Sequence, residues 1–156
     1  MRHLSSLLVA ALILCAAPAL AETASPQVAD EIIGIVRAEW AAGRQKNVAE
    51  AGKNIADEYT ELNAEAATRL EGKALTNRLA EASNKESGAR IADEMLNPKV
   101  QLYGDTAILS YNFFGLTQDK DGKVTPGRAK STRIYVKQGW KWMLVHANFA
   151  ADPLPR

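Results

Sequence analysis

The stretch Asn97-Pro98-Lys99-Val100-Gln101-Leu102-Tyr103-Gly104-Asp105-Thr106-Ala107 opens the part of the chain that decides the fold. Val100 and Leu102 alternate with Lys99, Gln101 and Tyr103, the period of a half-buried strand. Gly104-Asp105 supplies a turn, and Ala107 to Thr117 resumes an apolar, aromatic run of strand length. Asp119-Lys120-Asp121-Gly122 is a second turn signal. Ser131 to Lys137 alternates again, with Thr132, Ile134 and Val136 to one side and Arg133 and Tyr135 to the other. Beyond Gln138-Gly139, strict alternation assigns Trp140, Trp142, Leu144, His146 and Asn148 to one face of a last strand. Four strands joined by short turns pair next to next as an antiparallel meander.

Working back from this sheet, the preceding residues read mainly as helices. Ser25-Pro26 is a capping residue followed by proline at the first helical position. Asp30 and Glu31 fall in the first turns, where the helix dipole favours them. Val28, Ile32, Val36 and Trp40, with Ile35 beside them, form one apolar stripe on a helix ending near Gly43. Asn47 followed by Glu50 starts a second helix, expected over about Val48 to Ala56. Tyr59 to Leu62 is read as a short edge strand, Lys73 to Ala82 as helix and Asn84 to Gly88 as a loop. Ala89 to Leu96 is open between strand and helix. Helices first and sheet last is an α+β arrangement.

The first 21 residues read as a leader. Arg2 and His3 precede an apolar run, Leu7 to Ala17, and Ala19-Leu20-Ala21 is a small-x-small cleavage site. The run is too short for an ordinary membrane span. The expectation is a signal peptide over residues 1–21 and a single domain over 22–156. The mature protein is then secreted, in the periplasm, and free of the membrane. Removing 21 residues from 156 leaves 135, enough for one domain with a core. Cys15 and His3 leave with the leader, so the mature chain has no thiol and one histidine, His146, which removes the usual ligands of a zinc site. No metal and no cofactor is expected. Residues 22–96 carry 14 acidic and 9 basic side chains, whereas residues 97–156 carry 9 basic and 4 acidic. The positive half is the strand-rich one, but no run of arginine and lysine marks a nucleic-acid surface.

Several residues carry a likeness to a known family. Leu96-Asn97-Pro98, Leu102-x-Gly104-Asp105, Ala107, Tyr111, Asp121-Gly122, Thr132-Arg133 and Trp142-x-x-Val145-His146, with Pro153 beyond, resemble the association (hub) domain of calcium/calmodulin-dependent protein kinase II. That domain belongs to the nuclear transport factor 2-like superfamily, with the SnoaL-like cyclases, ketosteroid isomerases and dehydratases. The resemblance covers roughly residues 27–153. It implies a cone-shaped fold, N-terminal helices packed on a curved antiparallel sheet, with a pocket between sheet and first helix. It also implies oligomers built through the outer sheet surface, and a pocket lined by arginines and a histidine that accepts small anions. Arg133 and His146 match those motifs; where the hub has an arginine three residues after the histidine, this chain has Phe149. The kinase domain and its glycine-rich loop are not part of the likeness.

The candidate ligand-binding residues are Arg133, His146, Tyr111, Tyr103 and Trp40. His146 is the one histidine of the expected mature chain, and imidazole is the side chain suited to acid–base work near neutral pH, so His146 is the candidate general base. On the inner face Arg133 needs a carboxylate or a bound anion, and Glu39 of the first helix is the expected structural partner. Thr117 to Arg128 is not a calcium loop, because Thr117 and Arg128 stand where carboxylates are required. Asp105, Asp119, Asp121 and Asp152 sit in turns or beyond the last strand, which leaves Glu39, Asp57 and Glu58 as cavity carboxylates. Tyr111, Phe113, Phe114, Trp140 and Trp142 are more aromatic surface than one side of a small core hides, predicting a homodimer or higher oligomer. The reading is a non-catalytic cone domain that self-associates and binds a small anionic or polar ligand. The alternative is a SnoaL-like enzyme performing isomerase, cyclase or dehydratase type acid–base chemistry on a small organic substrate.

Overall fold

A computed structural model describes residues 22–86 and 88–152; the expected leader lies outside the described residues. The elements run β1 (Glu22–Thr23), α1 (Pro26–Arg44), α2 (Val48–Ala51), β2 (Ile55–Asn63), β3 (Leu70–Glu71), α3 (Lys73–Glu86), β4 (Ala89–Tyr103), β5 (Thr106–Gln118), β6 (Val124–Gln138) and β7 (Lys141–Ala151). They build one seven-stranded sheet in the order β1-β4-β5-β6-β7-β2-β3. The meander of β4 to β7 is antiparallel throughout, and β2 joins β7 in parallel. The class is α+β, a half-open cone with α1 laid along its concave side.

The meander's two tightest turns follow from glycine. Gly104 and Gly139 hold φ of +56° and +64° at the first of two loop positions, the geometry that suits the twist of a hairpin. Trp140 is therefore a turn residue, 78% exposed, rather than part of the last strand's face. The Asp119 turn is a hairpin, closed by Asp119 Oδ1 accepting from the main-chain N–H groups of Asp121 (3.0 Å) and Lys123 (2.9 Å).

Helix α1 starts where the cap signal places it, with Ser25 Oγ accepting from Val28 N. Asp30 and Glu31 lie past its first turn, beyond the short reach of the dipole. Its stripe is the core's upper layer. Ile32 and Val36 are 0% exposed, and Trp40 meets Tyr111 and Phe113 edge-on, at ring separations of 5.9 and 5.4 Å. Each such buried side chain contributes about 1.5–3 kcal/mol. Below lie Val100, Ala107, Leu109, Tyr135, Trp142 and Leu144 from the concave sheet face.

Three local expectations change. Helix α2 is one turn long, because Gly52 caps it and Ile55 already belongs to β2. That strand is longer than expected and is not the edge, since β3 pairs beyond it. Helix α3 continues through Glu86, replacing most of the expected loop over Asn84–Gly88. The ambiguous Ala89–Leu96 is strand, continuous with Val100–Tyr103 through an irregularity at Asn97-Pro98 where Asn97 takes φ +52°. Such bulges bend a strand and curve its sheet.

Candidate functional site

The concave face becomes a pocket because its far half is paved with small residues. Ala129, Ser131, Ala147 and Ala151 leave the inner surface low, and Trp40, Tyr111, Phe113 and Phe149 stand around it. The cavity is about 490 Å³. Its charged lining comes from Glu39 on α1, from Glu61 and Glu65 at and beyond the end of β2, and from Arg90, Arg128 and Arg133 on the meander.

Arg133 lies at the deep end, 4% exposed. Its Nη1 and Nη2 donate to the two carboxylate oxygens of Glu39 at 2.6 and 3.0 Å, and Nε donates to the Tyr111 hydroxyl at 3.0 Å. The guanidinium also lies 5.2 Å from the centre of the Phe149 ring. Burial, the largest single effect, works against its charge, but Glu39 together with the Tyr135 and Tyr111 phenols outweighs it and holds its pKa well above the ordinary arginine value. This is the structural pair expected from the sequence, so Arg133 needs no anion to balance it.

A second hydrogen-bonded pair lies on β2, across β7 from Arg133. The Tyr59 hydroxyl donates to Glu61 Oε2 at 2.7 Å, and Asn63 Nδ2 donates to Glu61 Oε1 at 2.6 Å. Burial, followed by the Glu61 carboxylate, pushes the Tyr59 phenol far above its ordinary 10.0. Burial likewise raises Tyr135, against the pull of Arg133. Both phenols are thus held neutral in the fold while the unfolded chain ionises them near pH 10. A folded pKa above the unfolded one means that stability is intact below pH 10 and lost as pH rises beyond it. The expected slope is about 1.4 kcal/mol per pH unit for each tyrosine. Urea unfolding at stepped pH reads the slope, and Tyr59→Phe should remove one tyrosine's share. An unchanged slope in that variant would mean that Tyr59 ionises freely in the native protein.

The structure brings together Trp40, Tyr111 and Arg133 and leaves out the other two predicted ligand residues. Val145 is an extra residue in β7: Ile134 pairs with His146 while the next residue, Tyr135, pairs with Leu144. From that bulge onward the inward positions are Ala147 and Phe149, not His146 and Asn148. His146 therefore faces outward, where its Nδ1 shares a hydrogen bond of 2.8 Å with Thr60 Oγ1. Tyr103 also points outward, since Leu102 and Val100 take the inward positions of β4. A base role for His146 inside the cone has no geometric support. Phe149, at the position where the resemblance implied an arginine, does face the pocket.

Asp57 and Glu58 are exposed on β2 and do not line the cavity. Glu61, Asn63 and Arg90 do. No signal marks them in the sequence, because the strand expected over Tyr59–Leu62 is too short to fix which side chains point inward.

Fold and pocket together define a nuclear transport factor 2-like cone domain. Residues 28–153 match the calcium/calmodulin dependent protein kinase II association domain family, and the chain belongs to that family. Among solved structures it is similar to the association domain of the C. elegans kinase, with TM-score 0.67 and 20% identity over 80% of this chain and 96% of that one. The S. rosetta hub gives 0.68 and 23%, over 83% and 98%. A nuclear transport factor 2-like superfamily protein of Salmonella enterica gives 0.72 and 14%, over 84% and 95%. These likenesses show the fold. No curated protein sequence matches the chain.

Proposed function

We propose that this chain is an exported, self-associating cone domain whose pocket holds a small polar ligand, with residues 1–21 removed as a leader and the remainder working as one domain in the periplasm. The observation that carries self-association is the uncovered outer face of the meander. Ile108 lies beside Ile134, and Val136 beside Met143, in adjacent register rows, all of them only half-buried. The helices leave this surface open: α1 packs on the concave side, and α3 packs against β2 and β3. Tyr103 and His146 border the same patch, so their place in this reading is an interface rather than a pocket. An open apolar face of this kind marks an association surface. The aromatic surface expected to drive association is smaller than the sequence suggests, because Tyr111 and Trp142 are buried in the core. The aliphatic patch takes its place. Support for association also comes from the family, which is named as an association domain.

The mature protein is expected to sediment as a dimer or larger symmetric oligomer at micromolar concentration. Ile134→Asp, which sets a carboxylate in the middle of the patch, should shift it to the monomer mass without unfolding it. A wild-type monomer would refute the proposal.

A further inference from the structure

On the basis of the pocket reading above, we infer that the pocket accepts a small organic cation, an ammonium group on a short apolar stem, rather than an anion. Each of the pocket's positive charges lies beside a carboxylate. Arg133 is paired with Glu39. Arg128 takes an outward register position at the pocket's rim, where its guanidinium lies 3.5 Å from Asp152, which Lys130 also approaches at 3.8 Å. Arg90 lies 3.6 Å from Asp93, a carboxylate it shares with Arg44, and 5.5 Å from the Phe113 ring centre.

The negative wall is not answered. Glu61 receives only neutral donors, Tyr59 and Asn63, and among the described residues neither Glu61 nor Glu65 has a cationic partner. A second, independent feature lies opposite. Ser131 is 4% exposed and lines the cavity, and its hydroxyl has no hydrogen-bond partner. Buried hydroxyls without partners are uncommon, and the oxygen can accept an N–H. Both features line the one cavity. On the inner face Glu61 adjoins Ala147 and Asn63 adjoins Phe149, which in turn adjoins Ser131. Only one strand, bearing a small and an aromatic side chain, separates carboxylate from hydroxyl.

The uncharged lining is small or aromatic, and ring faces attract cations and repel anions. A ligand ammonium would donate to Glu61 and to Ser131 Oγ, with its stem along Trp40 and Phe113. The cavity, about 490 Å³, is in the range that encloses a small molecule.

Three probes of one shape and different charge test this: n-butylamine, n-butanol and n-butyrate, titrated at neutral pH into the mature protein by calorimetry and thermal shift. Butylamine should bind saturably and butyrate should not. Glu61→Gln, which keeps an acceptor for Tyr59, should weaken the amine at least about tenfold, the scale of one charge-assisted hydrogen bond. Ser131→Ala, a smaller change to the fold, should weaken it several-fold. Tighter binding of butyrate than of butylamine would overturn the charge assignment and leave the pocket reading standing. Full amine affinity in both variants would overturn the site. If none of the three binds, this inference and the ligand half of the proposed function fail together, while self-association is untouched.

Discussion

Glu39→Gln is expected to destabilise the protein by about 3 kcal/mol, toward the lower end of what removing one member of a buried ion pair costs. The figure is placed low because Glu39 is 25% exposed at its side chain, so water relieves part of the loss. The substitution keeps the shape of the side chain but leaves the Arg133 guanidinium, 5% exposed, with no countercharge under the core. In a domain of this size that corresponds to a fall in Tm of roughly 10 °C. Arg133→Met should cost less, since the orphan is then a carboxylate nearer to solvent. The double variant Glu39→Leu/Arg133→Met should recover most of the loss, because well-packed apolar pairs replace buried ion pairs at little cost. Urea denaturation of the four proteins shows how much of the loss the apolar pair recovers. A Glu39→Gln protein within about 0.5 kcal/mol of the parent, the spread expected of ordinary surface changes, would show that the pair contributes nothing to stability.

The Glu39–Arg133 pair is legible in the sequence because two periodicities intersect in it. Glu39 adjoins Trp40 at the end of the α1 stripe, and Arg133 shares the inward side of β6 with Tyr135. Both patterns are long enough to fix a face. The meander is legible for the same reason, each run being alternating and closed by a glycine turn. What the sequence hides is set by interruptions. Gly52 ends α2 after one turn, and whether a helix yields there to a strand depends on pairing with β7, a contact far away in sequence. With only the end of β2 readable as strand, Glu61 and Asn63 carry no mark, although both line the pocket. His146 is misplaced for a sharper reason. Its residue type and its place in the family resemblance both point inward, yet one inserted residue reverses the face.

That extra residue gives the last expected result, drawn from two opposite changes. Leu144 and His146 already pair with Tyr135 and Ile134, which are neighbours on β6, so deleting Val145 closes the bulge into a regular ladder. Period two then keeps Leu144 inward, His146 outward, and Ala147 and Phe149 inward, and the deletion should be tolerated at a cost of about 1–2 kcal/mol. Inserting one alanine between His146 and Ala147 does the reverse and exchanges the faces of everything beyond it. Upstream, Trp142 and Leu144 keep their inward positions, 3% and 2% exposed. Downstream, Asn148 would turn inward in place of Phe149. Burying an amide without partners costs roughly 1–3 kcal/mol, and exposing Phe149 forfeits about 1.5–3 kcal/mol more. Arg133 would lose the ring beneath its guanidinium, and the pocket one of its walls. The insertion should therefore cost about 3 kcal/mol or more, a large share of an ordinary domain's stability. Circular dichroism and urea unfolding of both variants decide the matter. An insertion protein with near-parental stability would mean that the last strand tolerates either register, and that the placement of Phe149 inside the cone is not enforced by the chain.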